Sequence, residues 1–192
     1  MNAINDFFNN RKVRKTFLKL RAPLFLILLL LLFTQLEARW FLPGLIVSIL
    51  GELFQVWCFS TIKTHKEVTR VGPYMLMRNP MYIGRFFLIF GILMMTGNIW
   101  ILAGYTLIYY FYMKNRVSRE EKTLQSLFGA DYEDYCRRVN RYIPTFKNLA
   151  PDKLAAFSKE SFFRNNAHTN ILFVMACYGV LYVMTFIWPI GQ

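Results

Sequence analysis

Two segments of this chain carry residue types at spacings that could do chemistry. The first is Gly72-Pro73-Tyr74-Met75-Leu76-Met77-Arg78-Asn79-Pro80-Met81-Tyr82-Ile83-Gly84. Asn79-Pro80 is a helix start, because Asn is a favoured N-cap and Pro suits the first helical position. The free N–H groups and positive dipole end of such a start can hold an anionic group. It can equally be the capped start of an apolar helix with Tyr82 at its interface. The second segment runs from Arg116 to Gly129 and continues through Asp131-Tyr132-Glu133-Asp134-Tyr135 to Arg141-Tyr142-Ile143-Pro144. Arg116 and Glu120 are one helical turn apart and can pair. Ser118 and Glu121 fit a capping box, and Gly129 a helix C-cap. Leu124, Leu127 and Phe128 make an apolar stripe between them, which also suits a plain amphipathic surface helix.

Other chemistries find little support. Cys58, Cys136 and Cys177 are far apart, with no Cys-x-x-Cys pair and no nearby pair of histidines, so neither a disulfide framework nor a structural metal is expected. His65 and His168 read as solvated loop residues. No Gly-x-Gly-x-x-Gly follows a strand pattern, so a soluble Rossmann nucleotide fold is not expected.

The elements that must position these residues are set by composition. Of 192 residues, 55% are hydrophobic and 18% aromatic, yet the net charge is +12. That apolar fraction exceeds what a soluble domain of this size can bury. Apolar spans with basic flanks fit both numbers, whereas a nucleic-acid binder would spread its basic residues over a soluble surface.

Five spans can be read. Ala22–Leu36 is short and nearly all Leu, Ile and Phe, with Lys19 and Arg21 placed to snorkel. The run ends without a small-x-small cleavage pattern and reads as an uncleaved anchor. A second span covers about Phe41 to Phe59, and a last one, without charge, about Asn170 to Trp188. Between them Phe86 to Met113 carries no charge. As one helix it would be roughly 42 Å long, too long for an upright span. Gly97-Asn98 at its centre is a turn signal. The expectation is a helical hairpin, about Met81–Thr96 and Ile99–Arg116.

Crossing five times from a cytoplasmic N-terminus places 21 of the 23 Lys and Arg residues on the cytoplasmic side. The positive-inside rule therefore predicts this orientation, with the C-terminus outside. Two polar segments read as interfacial or as plain linkers: one with Phe7, Phe8, Phe17 and Leu18, and one after Pro151 in which Leu154, Phe157, Ser161 and Phe162 share a helical face. Glu52 and Gln55 fall inside the second span, where a polar group marks either function or interhelical packing. The predicted architecture is an all-α polytopic bundle: a core over residues 1–145 with four spans, then a linker and additional span over 146–192.

The order Gly-Pro-Tyr-x4-Asn-Pro-x-Tyr-x-Gly, hairpin, Glu-Glu-x2-Leu-x3-Phe-Gly-x2-Tyr-x2-Tyr, Arg-Tyr-Ile-Pro resembles the isoprenylcysteine carboxyl methyltransferase family, related to the phospholipid N-methyltransferases. The resemblance covers about residues 45–145. It implies an S-adenosylmethionine-dependent membrane methyltransferase with a cytoplasmic cofactor pocket and a lipid-like or prenylated acceptor, carboxylate or amine. It also implies roles. Arg78, Asn79, Pro80 and Tyr82 stand at the family's Arg-His-Pro-x-Tyr cofactor motif, with Asn79 in place of His. Asn cannot titrate near neutrality, so a binding role is what remains for that position. Glu120 and Glu121 match the paired carboxylates, and Arg116 the Arg beside the methyl acceptor. Val139-Asn140-Arg141 resembles a Val-Pro-Arg ending.

With those roles, Glu121 is the candidate for the cofactor's α-amino group. Arg141 and the Asn79-Pro80 start are candidates for its carboxylate, and Tyr82, Tyr132 or Tyr135 for its adenine. Arg116 would orient a carboxylate acceptor, and Glu120 would serve as base for an amine. A membrane reductase of the sterol-reductase type using NADPH, and a non-catalytic membrane scaffold, are the competing readings.

Overall fold

The computed structural model describes residues 34–63, 67–146 and 150–188. The chain is helical, with no strand among the described residues. The elements are α1 (Ala38–Thr61), a 3₁₀ turn (Gly72–Met75), α2 (Pro80–Met94), α3 (Ile99–Phe128), α4 (Ala130–Arg138), α5 (Pro151–Leu154), α6 (Lys159–Arg164) and α7 (Ala167–Tyr182), which runs on as a π turn through Val183–Ile187.

The closest packing is between α1 and α2, which run antiparallel through small residues. A Cβ added at Gly91 would lie 2.4 Å from the Gly44 carbonyl oxygen, and one at Gly51 would lie 2.5 Å from the Leu88 nitrogen. The Ser48 hydroxyl donates to the Leu88 carbonyl at 2.7 Å. In an apolar medium, where burial supplies no drive between helices, such close backbone approach is what holds them.

The hairpin forms as expected. Gly97 takes φ +60, which an L side chain adopts only with strain, and Asn98 caps α3 by accepting from the Trp100 and Ile101 N–H groups. Tyr105 stacks on Phe86 at 5.4 Å, and the Tyr109 hydroxyl donates to the Tyr82 carbonyl at 2.7 Å. α3 then continues for 30 residues, about 45 Å at the α-helical rise, and stops at Gly129 with φ +51. The capping box expected at Ser118 and Glu121 does not exist. Both residues lie inside this continuous helix, whose N–H groups are already bonded, so no new start is needed there.

α7 runs antiparallel along α1. Phe41 meets Tyr178, Tyr182 and Phe186 edge-on, and Leu181 is buried with Leu36, Phe41 and Met95. Asn170 donates to both oxygens of Glu52 at 2.8 and 2.9 Å, and Gln55 adds a longer bond at 3.4 Å. Glu52 and Gln55 thus take the packing alternative. α1 and the stretch Ala167–Ile187 are long and apolar enough to cross a membrane; α2 is apolar but has 15 residues. The span expected at Ala22–Leu36 lies, but for its last three residues, outside the described residues. So do the N-terminal interfacial segment and His65.

The segment after Pro151 is not one amphipathic helix. It breaks before Ser158, whose N–H bonds the Ser60 carbonyl at 3.0 Å and whose side chain caps α6. Leu154 and Phe162 therefore sit on different helices. Asn165 closes the contact by donating to the Phe59 and Ile62 carbonyls, which the end of α1 leaves free. His168 is not a solvated loop residue: it opens α7 with its ring against Phe163 at 5.2 Å and its Nδ1 buried.

Candidate functional site

The loop from Arg70 to Asn79 is tied down at several points. Arg70 pairs with Asp131 at 2.7 Å, and the Tyr135 hydroxyl donates to the Tyr74 carbonyl at 2.7 Å. The tail after α4 straps across it: the Arg78 N–H bonds the Asn140 carbonyl at 2.9 Å, and the Thr145 N–H bonds the Leu76 carbonyl at 2.7 Å. Arg78 and Asn79 are thereby fixed at the start of α2 beside the outer half of α3.

Pro80 occupies the first helical position and is buried, as the sequence predicts. The Asn79 side chain, however, does not cap α2. Its amide turns away and donates to Glu121 Oε1 at 3.1 Å and to the Arg141 carbonyl at 3.4 Å. A buried carboxylate demands donors more strongly than an N-cap site open to other partners does.

Glu121 is the hub of this site. Its side chain is 9% exposed. Arg78 Nε lies 3.3 Å from Oε1, and Arg141 Nη2 binds Oε2. Arg78 is nearly as buried as Glu121, with a side-chain exposure of 13%, whereas Arg141 is 41% exposed. Two guanidiniums face one carboxylate, so the cluster carries one net positive charge. Arg78 Nε and the hydroxyl of Tyr142, which lies close enough to Arg141 and Glu121 to feel their charges, are buried without a hydrogen-bond partner. Buried polar atoms left in that state are what a polar ligand can satisfy.

Glu120 points elsewhere, since consecutive residues on a helix differ by about 100° in direction. It pairs back along α3 with Arg116 Nε at 2.8 Å. Their side chains are 39% and 47% exposed, so this pair is open to a second molecule. The Tyr82 phenol interacts with both Glu120 and Arg116. Tyr82 therefore stands with this second pair and not with the Glu121 cluster.

Tyr132 and Tyr135 are core residues, 3% and 5% exposed, packed with Val139, Val68, Leu124 and Phe128. Burial pushes both phenols above their ordinary range, and the Glu121 charge adds to the effect. Their rings form the wall behind Glu121. Sequence reasoning assigned no role to Tyr74 or Tyr142; the signal for Tyr74 was its place in the Gly-Pro-Tyr segment.

The family described as phospholipid methyltransferase matches residues 26–131 of the chain. That stretch holds Arg78, Asn79, Pro80, Tyr82, Arg116, Glu120 and Glu121 and ends before Tyr132, Tyr135 and Arg141. The chain is 30% identical over 129 residues to a probable protein-S-isoprenylcysteine O-methyltransferase of Oryza sativa subsp. indica, covering 59% of this chain and 67% of that protein. It is 32% identical over 113 residues to the protein-S-isoprenylcysteine O-methyltransferase of Tribolium castaneum, covering 53% of this chain and 40% of the relative. It is also 30% identical over 136 residues to the nickel-cobalt-cadmium resistance protein NccN of Alcaligenes xylosoxydans xylosoxydans, covering 70% of this chain and 63% of the relative. No solved structure matches.

Proposed function

Since the chain belongs to the phospholipid methyltransferase family, we propose that it transfers a methyl group from S-adenosylmethionine to a lipid-like or prenylated carboxylate at the cytoplasmic membrane face. The observation that carries this reading is the Glu121 cluster, a buried carboxylate between two guanidiniums and an amide at a helix start.

When bound, S-adenosylmethionine supplies a methyl group already activated by its sulfonium. The cluster suits the amino-acid end of that molecule, which is a zwitterion. Arg141, the more exposed of the two cations, and the N–H groups at the start of α2 would take its carboxylate. Glu121 keeps lone-pair capacity beyond the bonds it makes and would take its ammonium. Arg78 and Asn79 hold Glu121 in place, and the phenol of Tyr142 is free to donate. Tyr132 and Tyr135 exclude water behind the cluster.

On the neighbouring face Arg116 would orient the acceptor, with Tyr82 and Glu120 fixing the guanidinium. A carboxylate reacts in its ionised form, so no proton has to move and the work of the site is alignment. Two of the three relatives above are named as O-methyltransferases acting on isoprenylcysteine, which supports an oxygen acceptor over an amine. The basic residues on one side of the predicted spans support the cytoplasmic assignment.

The test is methyl transfer from labelled S-adenosylmethionine to N-acetyl-S-farnesylcysteine by the purified protein in nanodiscs. Base-labile label in the farnesylated product is the expected result. Transfer to phosphatidylethanolamine alone would move the acceptor class to amines, with Glu120 as the base.

A further inference from the structure

Tyr74 is 7% exposed, and its hydroxyl is buried with no hydrogen-bond partner. A side chain needed only to fill this space would be served as well by Phe, which leaves no buried donor unmet. The backbone gives the ring little freedom. Gly72–Met75 is a 3₁₀ turn, Leu76 and Met77 both bond back to the Pro73 carbonyl, and Tyr135 holds the Tyr74 carbonyl. The charges and dipoles around the hydroxyl come from Cys58, Tyr135, Glu120 and Tyr82. The phenol therefore faces the interior that it shares with the Arg116–Glu120 pair, on the side away from the Glu121 cluster.

We propose that Tyr74 is an acceptor-binding residue, whose phenol donates a hydrogen bond to the methyl-accepting carboxylate held by Arg116. The inference rests on the methyl-transfer reading. A carboxylate offers about four lone-pair positions. The Arg116 fork can fill two from one edge. A donor on a separate element is needed to stop the carboxylate rotating about that edge, and Tyr74 comes from the loop before α2 whereas Arg116 comes from α3. Burial holds the phenol in its protonated, donating form. A protonated amine acceptor would have no use for this donor, so Tyr74 also favours anionic headgroups.

The experiment compares wild type with Tyr74→Phe in nanodiscs, using N-acetyl-S-farnesylcysteine as acceptor and S-adenosylhomocysteine as cofactor probe. The expected result is a KM for the acceptor raised about tenfold or more, the scale of one lost hydrogen bond to a charged group. The affinity for S-adenosylhomocysteine and the melting temperature should be unchanged. An unchanged KM and kcat would overturn the inference and leave the methyl-transfer reading standing. A lower melting temperature or weaker S-adenosylhomocysteine binding with KM unchanged would also overturn it, because the phenol would then serve the fold or the cofactor. Failure of wild type to bind or methylate the farnesylated probe would overturn the acceptor class and this inference together.

Discussion

The amide of Asn79 donates to the carboxylate of Glu121 at 3.1 Å, across 42 residues of chain and the whole α2–α3 hairpin. That bond joins the two segments whose residue types first suggested chemistry. It also changes how substitutions at either end should behave.

Asn79→Ala removes a donor from a buried carboxylate and leaves the Arg141 carbonyl with one contact fewer. A stability loss of about 1–3 kcal/mol is expected, visible as a lower melting temperature in detergent. Asn79→His supplies a ring N–H in the same place and should retain most of the S-adenosylhomocysteine affinity. Equal melting of wild type and the Ala variant would remove Asn79 from the site's framework.

Glu121→Ala should damage more than binding. It leaves Arg78, 13% exposed, without its counter-charge. Breaking a buried pair in this way costs about 3–5 kcal/mol, and the low end applies because Arg141 can turn to solvent. The melting temperature should fall, and the tail over 139–145 should become more sensitive to protease. A variant as stable as wild type would show that Glu121 is not the electrostatic anchor.

Gly91→Ala places a methyl 2.3 Å from the Ser48 hydroxyl oxygen and 2.4 Å from the Gly44 carbonyl oxygen. The α1–α2 seam must then open, at a cost of about 1–3 kcal/mol. Gly104 has no neighbour within 4 Å of such a Cβ. Gly104→Ala should be neutral or stabilising by up to about 1 kcal/mol, the helix-propensity difference. Paired melting curves check both, and equal shifts would contradict the packing account.

The phenols of Tyr74, Tyr132 and Tyr135 are all held above their ordinary range, chiefly by burial. Raised folded-state values mean that the folded protein keeps protons which the unfolded chain releases. This contribution to stability is complete below about pH 10, the unfolded phenol value, and is lost as pH rises through the folded-state values. Melting temperatures between about pH 8 and 11 should therefore fall above pH 10. A rise over that interval would contradict the burial of these rings.

Much of this arrangement was legible in the sequence because it depends on local signals. Gly97-Asn98 announces the hairpin tip and Gly129 the end of α3, since both glycines take positive φ. Other parts depend on competition that a linear pattern does not show. Asn79 can cap a helix or satisfy a carboxylate, and only the arrival of Glu121 decides between them. Ser118 and Glu121 match a capping box, but a helix that already runs through them has no free N–H groups to cap. Tyr82 reads as part of the Arg78–Asn79 segment, yet two more residues of helix carry its side chain round to Arg116 and Glu120. The seam of Gly44, Ser48 and Gly51 against Gly84 and Gly91 has the spacing of a helix face, hidden among large apolar residues that give no contrast in hydropathy. The Glu52–Asn170 contact spans 118 residues and no local pattern could announce it.

The central claim is that the Glu121 cluster binds the cofactor's amino-acid end, and calorimetric titration of S-adenosylhomocysteine tests it most directly. The charge on Glu121 should matter beyond its shape, so wild type should bind and a folded Glu121→Gln variant should bind at least about tenfold more weakly. NADPH should give no heat with either. Equal affinity in the two proteins, or binding of NADPH in place of S-adenosylhomocysteine, would contradict the account.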